Sequence, residues 1–144
     1  MLSSCDGGKA TCGSVQREPL DSRSTQHLFP DTPDPAFLTD PPTSGPHRPG
    51  FHPTGVLQKP IDRGVQVAML EGGAVLLQYK NLSERQRSRL VALAGGPVTV
   101  APNRELPAAV VATAWTAKLT CSDVDRGALQ KFVQSFAGKG AGHP

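Results

Sequence analysis

The sequence predicts an α+β fold: a two-layer sandwich in which a small, mostly antiparallel four-stranded sheet carries two helices, in the order ββαββα, behind a long proline-rich strap. Three observations predict it. Ten of the 14 prolines lie before residue 61, short apolar runs of strand length follow, and two segments of helical periodicity bear their own caps. A chain of 144 residues allows one modest domain. Its 38% hydrophobic content suffices for a small core, and its formal charge is +3. No apolar run reaches the roughly 18 residues that a membrane-crossing helix needs.

The chain divides into a flexible segment 1–19, frayed over 1–11, a strap 20–60 packed on the core, and an α+β core 61–144. Proline lacks a backbone donor and turns its predecessor away from helix, so Phe29-Pro-Asp-Thr-Pro-Asp-Pro-Ala is extended. Leu20, Leu28, Phe29, Phe37, Leu38, Phe51, Val56 and Leu57 are spaced as apolar plugs that would dock the strap. Residues 1–60 hold five basic and six acidic side chains, net −1, and the remainder holds ten and six, net +4. The positive charge belongs to the core.

Val65-Gln-Val-Ala-Met-Leu70 and Ala74-Val-Leu-Leu-Gln-Tyr79 are apolar runs around Glu71-Gly-Gly73, which reads as a tight β-hairpin. Ser83 with Gln86 three positions on is a capping box. It opens a helix that turns Leu90, Leu93 and Ala94 inward and stops at Gly95-Gly-Pro97. Val98-Thr-Val-Ala-Pro102 is a third strand, and Val110 to Leu119, with Trp115 in the core, a fourth and longer one. Asp123 caps a second helix whose Leu129, Phe132, Val133 and Phe136 form one apolar stripe, and Gly138 ends it. Both helices cover the same face of the sheet.

The cysteines are Cys5, Cys12 and Cys121, spaced for neither a zinc ribbon nor a Cys-x-x-Cys redox pair. In an oxidising compartment a Cys12–Cys121 bridge would pin the arm to the core; otherwise these are three separate thiols. Leu2-Ser-Ser-Cys5 has the form of a bacterial lipobox without the apolar stretch that precedes one. His27, His47, His52 and His143 are the histidines. The first three could bring imidazoles to copper or zinc, or simply donate to backbone carbonyls.

Thr43-Ser-Gly-Pro-His47 sets a serine near a histidine, but no nucleophile elbow or oxyanion donor accompanies them, and no catalytic residue is assigned. Arg85 and Arg89 are helical neighbours on a solvated face. With seven aromatics in the chain no stacking platform is legible, so nucleic acid is excluded as a partner.

Five ordered blocks carry a family likeness: Pro41-Pro-Thr-Ser-Gly-Pro-His47, Leu70-Glu-Gly-Gly-Ala-Val-Leu-Leu-Gln-Tyr79, Val100-Ala-Pro102, Ala112-Thr-Ala-Trp115 and Phe132 to Gly142. Through them, residues from about 27 to 143 resemble a bacterial domain-of-unknown-function family, numbered three thousand one hundred and five, common in actinobacteria. The resemblance implies an extracytoplasmic setting behind an anchor or signal. His27, His47 and Glu71 match that family's pattern. Ala68 and Gly72 occupy positions where many relatives carry histidines, so two potential ligands are missing here.

The reading that follows is a non-enzymatic binding or accessory domain of the bacterial cell envelope. Its partner is an unknown protein or envelope component, and any membrane attachment runs through an anchor absent from the chain. The alternative is a copper- or zinc-binding protein using His27, His47, His52 and Glu71.

Overall fold

The computed structural model describes residues 10–141. In chain order the elements are β1 (Gln16–Arg17), α1 (Arg63–Glu71), β2 (Val75–Tyr79), α2 (Glu84–Val91), β3 (Val98–Pro102), β4 (Val110–Ala114), β5 (Ala117–Cys121) and α3 (Arg126–Phe136). The strands form one mixed sheet, ordered β1-β5-β4-β2-β3. Only β2 and β3 run parallel, joined through α2; every other neighbour is antiparallel. The α+β class therefore stands, with five strands and three helices where four and two were expected.

The extra helix is α1. Val65–Leu70, expected as a hairpin strand, is helical, because a six-residue apolar run suits either state and its flanks decide. The Asp62 carbonyl accepts from Val65 and Gln66 N–H, and Gly73 N–H returns to Leu70 O. Glu71-Gly-Gly73 thus ends a helix instead of turning a hairpin, with Gly73 at φ +100°. The hairpin lies further on. The long fourth strand folds back at Trp115–Thr116, with Thr116 at φ +55° and Ala114 paired to Ala117. Trp115 is therefore a half-buried turn residue, packed against Met69, Leu70 and Leu76, and not a strand-core residue.

The amino-terminal segment is also more regular than expected. Cys12 is disulfide-bonded to Cys121, and Gln16–Arg17 pair with Lys118–Ala117 as an edge strand. Of the fraying expected over 1–11, residues 1–9, with the lipobox-like Cys5, lie outside the described residues, while Thr11 is tied to the core through Ser122 N–H and Asp125. Two helix caps can be compared. Ser83 and Gln86 make the reciprocal capping box on α2. On α3 the cap is Asp125, accepting from Ala128 N–H, whereas Asp123 accepts from Val124 N–H and Gln86 Nε2. Those two donors hold the Asp123 carboxyl below its usual pKa, the Gln86 bond contributing most.

The two faces of the sheet differ chemically, because successive strand residues point opposite ways. Val75, Leu77, Val98, Val100, Val110, Ala112 and Leu119 form the main core with Leu90 of α2 and with Leu129 and Phe132 of α3. Opposite them lie Gln78, Thr99, Thr113 and Lys118, all buried. α1 covers part of that polar face through Met69 and Leu70, which pack with Leu76 of β2. Thr113 is fully buried and its hydroxyl has no hydrogen-bond partner among the described residues. Thr113→Val is therefore expected to stabilise the fold by about 1 kcal/mol, since it removes an unsatisfied buried group while keeping the branch. A urea titration checks the sign, and a loss of similar size would contradict it.

The strap touches the core mainly by polar means, which corrects the apolar-plug expectation. Phe51 is 100% and Phe29 76% exposed, and Leu20, Leu38 and Val56 are exposed too; Leu28, Phe37 and Leu57 are half-buried. A proline-rich strap lying on polar strand residues gains more from hydrogen bonds than from aliphatic docking. Pro41–His47 is the buried stretch. Glu18 Oε1 accepts from Thr39 and Thr43 hydroxyls, and Lys118 Nζ lies 3.2 Å from Glu18 Oε2. At the far edge, Leu57 N–H donates to Val100 O and Val100 N–H to Gly55 O. The strap so pairs with β3, and β1 pairs with β5, which covers both edges against foreign strands.

Candidate functional site

Three neighbouring features around α1 and the strap hold the chemistry-bearing residues. The first is built on His47. Its backbone pairs with the earlier strap: His47 N–H donates to Gln26 O at 3.1 Å and Leu28 N–H to His47 O at 2.8 Å. Arg48 N–H donates to Gly64 O in the first turn of α1, tying the same segment to the helix. Gly64 suits that approach, because the side chains of Asp34, Leu28 and Arg48 crowd the space a Cβ would fill.

His47 is 1% exposed. Its Nδ1 lies 3.1 Å from Gly45 O, and since a carbonyl only accepts, Nδ1 carries the proton. Nε2 faces Glu71 Oε2 at 3.2 Å without an aligned hydrogen bond. Glu71 is the last residue of α1, where the helix dipole adds negative potential. The exposed His27 ring stands edge-on to His47, with centroids 5.0 Å apart.

Of the four expected ligands, the structure sets His27 and Glu71 each beside His47. His52 is engaged elsewhere, its Nε2 donating to Arg48 O at 2.8 Å. Among the described residues, no three His, Cys, Asp or Glu side chains converge as they stand on a point that could hold a metal ion. His143 lies outside the described residues.

The second feature is a pair of adjoining cavities that share Gln58, Pro60, Ile61 and Asp62 as a common wall. One, of about 450 Å³, is lined largely by Leu57, Ile61, Val65, Met69 and prolines. The other, of about 490 Å³, is polar, with Asp34, Arg63, Gln66, Asn103 and Glu105. Arg63 bridges Asp40 and Glu105 at 2.7 Å each, and those hydrogen bonds, Asp40 first, raise its pKa.

Beneath the polar cavity runs a buried amide ladder absent from the sequence-based expectation. Asn103 Nδ2 donates to Gln78 Oε1, Gln78 Nε2 to Gln66 Oε1, and Gln66 Nε2 to Ile61 O. Its one signal in the sequence was Gln78 amid the aliphatic run of β2. On the strap, Arg23 makes a two-point contact with Asp21, and its side-chain hydrogen bonds hold that carboxyl below the usual range.

The third feature lies where the chain departs from its likeness. Ala68 and Gly72 sit one helical turn apart and line a cavity of about 340 Å³ with His52, Phe51 and Met69. This chain offers that cavity an apolar wall.

No curated protein and no solved structure matches the chain. Residues 34–144 match the sequence model of the family described as protein of unknown function (DUF3105), the stretch that holds the buried strap, α1 and the whole of β2 to α3, and the chain belongs to that family.

Proposed function

We propose that this protein is an extracytoplasmic binding or accessory domain of the bacterial cell envelope, acting through the double cavity between strap and α1. The Cys12–Cys121 disulfide carries the reading, since such bonds persist where thiols are not kept reduced. It also fastens the chain ahead of the strap to the sheet. The cavities support a binding role: an apolar chamber beside a polar one whose lining is held in place by its own hydrogen bonds is the arrangement that orients a ligand. The ladder under the polar chamber is satisfied internally, so its residues shape the floor and leave the rim to choose the partner.

A photo-crosslinking residue in place of Gln58, the exposed wall shared by both cavities, tests this in the producing cell. The expected result is a discrete adduct with an envelope component. Cys12 and Cys121 should react with a membrane-impermeant thiol reagent only after reduction. Free thiols in the cell, or no adduct at residue 58, would refute the reading.

A further inference from the structure

The geometry points to a metal site at the strap–α1 junction: His47 and Glu71 are two donors for a zinc or copper(II) ion, and the exposed His27 is the third. This inference rests on the isolated protein's own atoms and does not depend on the compartment or the cavity partner.

The argument starts from a proton count. With Nδ1 donating to Gly45 O, a neutral His47 ring would turn a lone pair toward a carboxylate 3.2 Å away. Two acceptors held that close repel unless a positive particle sits with them. Burial makes the arrangement more demanding, because a 1%-exposed Nε2 without a hydrogen-bond partner has no water to turn to.

The particle is a proton on Nε2 or a metal ion; one observation favours the metal and two are compatible with it. The contact is not aligned as the strong hydrogen bond that an imidazolium and a carboxylate would make. The separation also suits two ligands on one ion: donors at roughly 2.1 Å from a four-coordinate centre stand about 3.0 Å apart at a right angle and about 3.4 Å apart at the tetrahedral angle. Finally, donation from the other ring nitrogen to a backbone carbonyl is the support that metal-binding histidines regularly have.

The third donor is at hand. The His27 backbone is already bridged to His47, and its exposed ring stands 5.0 Å from the His47 ring, centroid to centroid. Two neutral imidazoles and a carboxylate suit zinc and copper(II) better than magnesium or calcium. Solvent would complete the coordination. His52 is not part of this site.

Titration of the purified full chain with zinc chloride or copper(II) sulfate, in a buffer that does not coordinate metals, tests the inference. One equivalent should bind and raise the melting temperature. Glu71→Gln and His27→Ala should each weaken binding at least tenfold and lose the thermal shift, while His52→Ala should keep both. Copper(II) resonance spectra should show two imidazole nitrogens, falling to one in His27→Ala. Circular dichroism establishes that each variant is folded; Glu71→Gln preserves the shape and offers an N–H to the lone pair. Absence of a bound equivalent would overturn the proposal and leave the pair holding a proton. Loss of binding in His52→Ala with retention in Glu71→Gln would overturn it equally.

Discussion

Replacing both Cys12 and Cys121 with alanine should lower folding stability by about 4 kcal/mol, a loss measured by urea denaturation of the oxidised parent and the variant side by side. The magnitude follows from the span. The bond joins residues 109 apart, so it closes nearly the whole described chain into one loop and removes a large share of the unfolded chain's freedom. For a domain whose total stability is of order 5–15 kcal/mol, that is a major fraction.

The loss should fall on the whole fold, because the bond adjoins the sheet at its edge. Gly13 N–H donates to Thr120 O and Ser122 N–H to Thr11 O on either side of it. Reduction of the parent should reproduce the variant's midpoint, which separates the cross-link from the packing of Cys121. A loss under about 1 kcal/mol would show that the unfolded chain is already constrained, and the entropic account would fail.

Much of the scaffold was legible, and what was not has physical causes. The α2 capping box is a local device: Ser83 and Gln86 satisfy each other's backbone whatever surrounds them, so two residues locate the helix start. The stripe on α3 was equally plain, since Leu129 and Phe132 recur at helical spacing and both are buried. α1 was misread because Val65 to Leu70 has the length and composition of a strand, and its helical state depends on tertiary contacts around Gly64 and Gly73.

The candidate site was half legible. His27, His47 and Glu71 stood out as residue types, but their meeting depends on a strap bridge between residues 27 and 47 and on Glu71 ending a helix. Neither leaves a local pattern. His52 was grouped with them by nearness in sequence, and its bond to the Arg48 carbonyl shows how little that nearness decides in a proline-rich chain. The strap was expected to grip through Phe29, Leu38 and Phe51, yet its contacts with the sheet are polar: Thr39 accepts from Lys118 on β5, and Gly55 and Leu57 bond to Thr99 and Val100 on β3. Polar residues inside otherwise apolar strands were the overlooked sign that this face would be covered by a polar segment.

That polar grip leads to the second large effect: Lys118→Met should destabilise the protein by about 3–5 kcal/mol, the usual penalty for stranding one member of a buried ion pair. The Lys118 side chain is 9% exposed and that of Glu18 13%, and the charges lie 3.2 Å apart. Glu18 is held in place, with its backbone N–H on Thr116 O and its Oε1 accepting two threonine hydroxyls. It therefore cannot swing into water when the ammonium is removed.

Thr39 links the halves, donating to Glu18 and accepting from Lys118 Nζ. Loss of the lysine should accordingly loosen the strap first, and faster amide exchange over residues 39–47 would report it. Adding Glu18→Gln should recover a substantial part of the loss, because the stranded charge is gone while the threonine hydroxyls keep an acceptor. High salt should change the parent little, as buried pairs are weakly screened. A single-variant loss below about 1 kcal/mol, or no recovery in the double variant, would mean that the pair is hydrated and that the backbone bridges alone hold the strap.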